Sequence, residues 1–310
     1  MKTITSNQVT YNKVIYNQVT YNQTVKLFIA SFFWFIYLFF IPYIYSLINI
    51  SSFFLIVFPG GYLFCWLAQF MHECWHEYLP GIHNKFFYSV LSWMIFLDHQ
   101  IFDIVHPYHH SQVNTYQDIE FHPLGEIKNR SLRIIYNFCE VFFGNIFIVI
   151  LASFKILHEP KLKNKYCFKK LMISILMRAI IWGGIGYSSH LLLQVNLHEI
   201  VIPYILTCWI GALMIHHSEL IEHGNLIVEG KLEERNLKTR NLKPSGILEK
   251  CFLFLTNNHC LEHSLHHSKS NTYTRVFNQN NSMSDKTVYI SFTEYSMILK
   301  DMLTGKCSKI

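Results

Sequence analysis

Charge is scarce in this sequence. Asp, Glu, Lys and Arg make up 15% of its 310 residues, against ~25% in an ordinary soluble domain. That shortage argues against a chain whose whole surface faces water. The net charge of +6 is modest, and the Lys and Arg residues gather in loops beside apolar blocks. No basic helix with base-contacting spacing and no groove-reading motif occurs, so nucleic acid is not an expected partner. Pairing motifs are missing too. None of the eight cysteines forms a CxxC, which excludes a rubredoxin-type or zinc-ribbon site. Cys65, Cys139 and Cys208 lie inside apolar segments and read as core or lipid-facing residues. Residues 1–26 lack the charged n-region, short apolar core and cleavage site of a secretory signal. They repeat a polar five-residue unit (QVTYN, KVIYN, QVTYN). Disorder is the first expectation for them and a short amphipathic strand the second.

What the chain has instead is long apolar runs. It is 51% hydrophobic and 16% aromatic, and its mean hydropathy is positive. Leu27 to Asn49 is nearly all apolar, matching the ~20 residues a helix needs to cross a bilayer. Pro42 within it is a kink that a membrane helix tolerates. A second run, Ser52 to Met71, pairs with it as a hairpin and leads directly into His72. Leu171 to Gln194 and Ile200 to Ile215 form another hairpin around the short turn VNLHE. Two further apolar stretches are interrupted: Phe86 to Val105 by Asp98, His99 and Asp103, and Ile134 to Phe154 by Asn137, Glu140 and Asn145. Both read as interfacial, buried or re-entrant helices. The loop after the second holds Lys155, Lys161, Lys163, Lys165, Lys169 and Lys170, so it belongs with the N-terminal lysines on the cytoplasmic side. The expected fold is therefore all-α: a polytopic membrane protein with about four transmembrane helices in two hairpins and a cytoplasmic His-rich cap. A six-span arrangement would separate residues 106–133 from His72 and His76. The expected divisions are a polar N-terminal segment (1–26), a membrane domain (27–277) and a polar tail (278–310).

Histidine carries the chemistry. HECWH places His72 and His76 at i, i+4. HPYHH places His106, His109 and His110 at i, i+3, i+4, and HSLHH repeats that spacing with His263, His266 and His267. On a helix such spacings gather side chains on one face. Neutral imidazole is the commonest protein metal ligand and suits iron, copper and zinc. Eight imidazoles are too many for one ion; two irons sharing them, with a further ligand, leave positions open for oxygen chemistry. The single histidines (His83, His99, His122, His158, His190, His198) read as surface or hydrogen-bonded core residues. A His-rich metal transporter is the rival class. It would place ionisable residues along a pathway within the spans, whereas these clusters fall at span ends.

The three boxes, in this order and spacing, resemble those of the membrane fatty-acid desaturase and hydroxylase superfamily, over roughly residues 27–277. LIEHGNL (220–226) and KTRNL (238–242) resemble segments that many members carry between the last span and the final box. The resemblance implies an oxygen-dependent di-iron enzyme acting on a lipid acyl chain. HPYHH has the desaturase spacing, so a double bond is the expected product; alkane or lipid hydroxylation and carotenoid oxygenation are the alternatives within the superfamily. It also implies a ninth histidine ligand. His223 is the choice, His216 the runner-up and His217 the third; His259 is placed behind the ligands. Asp118, Glu120, Glu219, Glu222 and Glu262 are candidates to orient imidazoles, although each alone looks like a solvated charge. The cofactors implied are two non-haem iron ions, with O2 as cosubstrate. No fused electron donor is visible, since the PGG at 59–61 follows Phe58 and not the His of a cytochrome b5 motif. A separate donor of ferredoxin or cytochrome b5 type is implied, and the basic stretches 155–170 and 235–243 offer it a surface.

Overall fold

The computed structural model describes residues 6–48, 50–77, 79, 81–256, 263 and 288–306, without the side chains of 6–23, 50–56 and 255. Two long helices come first, α1 (Ser6–Leu47) and α2 (Ile50–Trp75). The polar repeat is helical from Ser6, neither disordered nor a strand. It contains no Pro or Gly, and extending a helix already nucleated by the apolar segment adds one backbone hydrogen bond per residue fixed. Three helical stretches are long and apolar enough to cross a membrane: Thr24–Leu47, Phe168–Leu193 and Leu197–His223. The second is built from α8 (Phe168–Arg178), a π-turn (Ala179–Gly183) and α9 (Gly184–Leu193), and the third is α10.

The flanks of these helices are greasy. Phe28, Phe32, Phe33, Leu176, Leu191, Leu192 and Ile205 are exposed, a surface suited to hydrocarbon and not to water. Inside, Trp34, Leu38 and Ile41 of α1 pack with Leu67, Phe70 and Met71 of α2 and with Ile210 and Ile215 of α10. The α2–α10 crossing is close because both helices are bare there. A Cβ on Gly61 would come within 2.5 Å of Ile210 Cγ2, and one on Gly211 within 2.5 Å of Phe64. Small residues at a crossing are how membrane helices bring backbones together.

Both interrupted apolar stretches break into pairs of short helices. The first gives α3 (Asn84–Met94) and α4 (His99–Gln112). Asp98 ends the run by capping α4, its carboxylate accepting from Gln100 N–H at 2.8 Å, as an N-cap residue does. The second gives α5 (Arg130–Phe143) and α6 (Asn145–His158), 14 residues each, or about 21 Å at 1.5 Å per residue, short of the ~30 Å hydrocarbon core. The break falls at Gly144, whose φ of +55° lies in the region only Gly enters freely. A Cβ there would also sit 2.8 Å from Ala212 O. So α5 and α6 fold back against α10 instead of continuing as one span.

Three contacts anchor the end of α3 and the link into the box-bearing α4 to the spans. Trp34 donates to Met94 O at 3.0 Å, Trp182 to Trp93 O at 3.0 Å, and Arg178 to Leu97 O at 2.7 Å. After a short α7 (Pro160–Lys163) in the Lys-rich loop, the polar end is completed by α11 (Leu232–Lys238), β1 (Arg240–Leu242) and α12 (Ile247–Leu255). The tail then returns. β2 (Val288–Ile290) pairs in parallel with β1, with Asn241 opposite Tyr289, and α13 (Phe292–Leu303) packs on α5. Asn137 Nδ2 donates to Met302 O at 2.7 Å and Arg133 Nε to Gly305 O at 3.0 Å.

Candidate metal centre

His72 sits in the last turn of α2, and His76 follows immediately after that helix. Their ring nitrogens meet that of His106 from α4, all ligand atoms lying within 4.8 Å of one another. His110 joins this group, its Nε2 3.1 Å from His106 Nε2. A second group at the same spacing is His109, His223 and His263. The HPYHH box therefore serves both groups. On an α-helix a residue at i+4 is rotated by about +40° from residue i, and one at i+3 by about −60°. His110 stays with His106 for that reason, while His109 swings toward the end of α10, where His223 stands. His266, His267, His259 and Glu262 lie outside the described residues.

Oxygen atoms take the far side of the rings. His109 Nδ1 is 2.7 Å from Asp118 Oδ2, and His106 Nδ1 is 3.1 Å from Glu120 Oε2. His263 Nδ1 is 3.3 Å from Glu222 Oε2, and His223 Nδ1 is 3.0 Å from Asn114 Oδ1. Three of the five candidate carboxylates thus stand behind imidazoles of these groups; Glu219 instead meets His216. Asn114 was not evident in the sequence. It follows α4 in a left-handed conformation (φ 58°), and its Nδ2 donates to Thr239 Oγ1 and Arg235 O, each at 3.0 Å. That spends its N–H bonds and turns Oδ1 toward His223. Arg240 donates to Gly224 O, so the KTRNL and LIEHGNL segments are stitched together behind the site.

These contacts fix the proton positions. A carboxylate or amide oxygen accepts only, so Nδ1 of His109 and of His223 carries a hydrogen, and in the neutral ring Nε2 keeps its lone pair. His223 Nε2 lies 3.1 Å from His263 Nε2, and ring nitrogens of His109, His223 and His263 all converge within 4.8 Å of one another. Neighbouring ligands on a metal with ~2.1 Å bonds are about 3.0–3.4 Å apart, so the donor set and its spacing fit a metal ion.

Burial sets the charge of the first group. It lowers His76 to about 4 and His110 to about 3, and pushes His106 well below its ordinary value, so these rings are neutral at pH 7. Burial would lower His109 as well, but the Asp118 carboxylate outweighs it and raises that ring. Glu120 is pushed up to about 8 by burial; a cation at the imidazoles would favour its ionised form again. A cavity of about 90 Å³ adjoins both groups, lined among others by His72, His106, His109, His223 and His263.

The other histidine candidates are occupied elsewhere. His216 is fully buried, with Nδ1 2.9 Å from Asn145 Oδ1 and 3.2 Å from Glu219 Oε2, and Nε2 3.4 Å from Glu140 Oε1. His217 lies between Tyr295 Oη at 2.5 Å and Val141 O at 3.1 Å. His83 caps α3, and His158 and His190 contact backbone carbonyls.

A family model described as fatty acid desaturase matches residues 50–274, a stretch that contains all three boxes and His223. No curated protein matches the chain, and no solved structure does.

Proposed function

This chain belongs to the fatty acid desaturase family, and from that premise we propose that it is an O2-dependent di-iron enzyme that places a double bond in a lipid acyl chain. The proposed ligands are His72, His76, His106 and His110 for one ion and His109, His223 and His263 for the other, with His266 and His267 completing the set. The observation that carries the reading is the convergence of two groups of histidine ring nitrogens, each within 4.8 Å, beside one cavity. Iron, when bound, supplies the reduction of O2 and the power to remove hydrogen from an unactivated methylene.

The chain's own residues do the rest. Asp118, Glu120 and Asn114 hold the Nδ1 hydrogens of His109, His106 and His223, which fixes ring direction and makes each Nε2 more basic. Phe102 stacks on His106 with ring centroids 4.4 Å apart, and Trp75 stands edge-on to it at 4.8 Å; these rings keep water from one side of the first group. Overall, two neighbouring methylenes, one O2, two electrons and two protons give one double bond and two waters. The electrons come from a separate carrier of ferredoxin or cytochrome b5 type, docking on the basic stretches 155–170 and 235–243. In this reading α2 is a fourth span and the boxes face the cytoplasm. The polar segment 1–26 and the tail 278–310 flank the membrane domain.

The test is expression in a host of known fatty-acid content, under ¹⁸O2, followed by lipid mass spectrometry. A product two mass units lighter, without ¹⁸O, is expected. One ¹⁸O atom in the lipid and no new double bond would make the chain a hydroxylase.

A further inference from the structure

The cavity at the histidines does not end there. Leu97, Asn145, Val149 and Ile215 line it and also line a second cavity of about 480 Å³. That volume lies within the ~300–1,000 Å³ of small-molecule sites. The histidine cavity, at about 90 Å³, admits only the few atoms nearest the imidazoles. A long molecule reaching them must lie in the second.

Among the described residues, the wall of that second cavity carries no Asp, Glu, Lys, Arg or His. Its polar groups are spent. Tyr204 donates to Leu38 O at 2.8 Å, Trp182 donates to Trp93 O at 3.0 Å, and Asn145 contacts His216 and Glu219. A phosphate or a carboxylate finds no counter-charge here, and burying one unpaired is costly. Hydrocarbon fits.

The mouth is on the flank of the helices. Ile146 and Ile150 of α6, Val201 and Ile205 of α10, and Phe96 all line the cavity, yet they are 40% or more exposed, Ile205 reaching 61%. A side chain both lines a cavity and faces outward only at its opening. Val201 and Ile205 belong to the candidate span Leu197–His223 and lie far along it from His223. The opening therefore faces the hydrocarbon layer, away from the polar end that carries the boxes. At the inner end Phe64, Ile95, Ala212 and Ile215 are buried.

We infer that the substrate enters sideways from the bilayer between α6 and α10, as the acyl chain of a membrane glycerolipid and not as a soluble thioester. This rests on the proposed function for the chemistry at the inner end, but entry itself can be observed without it. Lipid tails are as apolar as the wall, so hydrophobicity gives no preference for the cavity; its shape and the histidines at its inner end select which part of a chain lies there.

The experiment uses metal-stripped full-length protein in phosphatidylcholine vesicles that contain a phosphatidylcholine with a diazirine near the end of one chain. After irradiation, labelled residues are mapped by mass spectrometry. Labelling of Ala212 or Ile215 is expected, buried positions that lipid lying against the outer surface does not reach. Ile205→Trp at the mouth and Ala212→Trp inside should each cut that inner labelling at least fivefold; Ile205→Trp changes an exposed position and keeps the test valid if Ala212→Trp misfolds. Labelling confined to the rim overturns the inference. So does the absence of labelling at both places, as when a second copy of the chain covers the mouth. So does inner labelling obtained only with a diazirine acyl-CoA added from the water. Inner labelling together with no product from iron-loaded protein would leave the entry route standing and defeat the proposed function; product without inner labelling would do the reverse.

Discussion

Replacing Asp118 tests whether the carboxylates exist to hold imidazoles for a metal. Asp118 and His109 are 1% and 3% exposed and 2.7 Å apart, so the pair is dry and short, in the range of charge-assisted bonds. A hydrogen bond to a charged group is worth ~1.5–3 kcal/mol. At ~1.4 kcal/mol per factor of ten, its loss weakens metal binding by roughly 10- to 100-fold, the range found for residues standing behind metal ligands. Asp118→Ala also strips the turn after α4, because Asp118 Oδ1 accepts from Glu120 N–H at 3.1 Å; a lower melting temperature is expected alongside. Asp118→Asn keeps an acceptor without the charge and should lose less affinity than Asp118→Ala. The assay is competition against a chelator in detergent-purified protein, with circular dichroism confirming the fold. Glu199→Gln is the control, since that carboxylate bonds Asn196 N–H at the opposite end of α10, and its affinity should stay within twofold of the parent. A folded Asp118→Ala protein with parental affinity would refute the reasoning.

Three further outcomes are expected. His223→Ala should lower the metal content per chain, while His216→Ala should keep it and lose stability through the stranded carboxylates of Glu140 and Glu219; elemental analysis showing the reverse would exchange their roles. Metal-free protein should lose stability as pH falls from about 6.5 to 4. His76 and His110 take up protons near 6.5 when unfolded but only at about 4 and about 3 when folded, so the unfolded chain binds more protons across that window; melting curves that stay flat there would contradict this. Lys163→Cys should react with a membrane-impermeant thiol reagent only from the cytoplasmic side, and labelling from outside would revive the six-span arrangement.

The boxes were plain in the sequence because i, i+3 and i+4 spacing survives any tertiary context. Their division was not. That His109 parts from His106 and His110 depends on where α10 ends, a long-range fact that no local spacing encodes. His223 was reached through the IEHG segment, whereas Asn114 behind it had no signal: a lone Asn after a helix looks like any turn residue. The breaks at Asp98 and Gly144 were half visible, since polar residues flagged both apolar stretches, but the turn-back at Gly144 follows from its fit against Ala212. The polar tail offered least. Residues 288–306 hold their place through hydrogen bonds to α5 and three residues of parallel pairing, and a hydropathy pattern reports neither.

The central claim is most directly tested by the metal content of active, purified protein. Elemental analysis should find two irons per chain, removed together with activity by chelation and restored with it by iron. One zinc, or no metal at all, in protein that still converts its lipid would contradict the account.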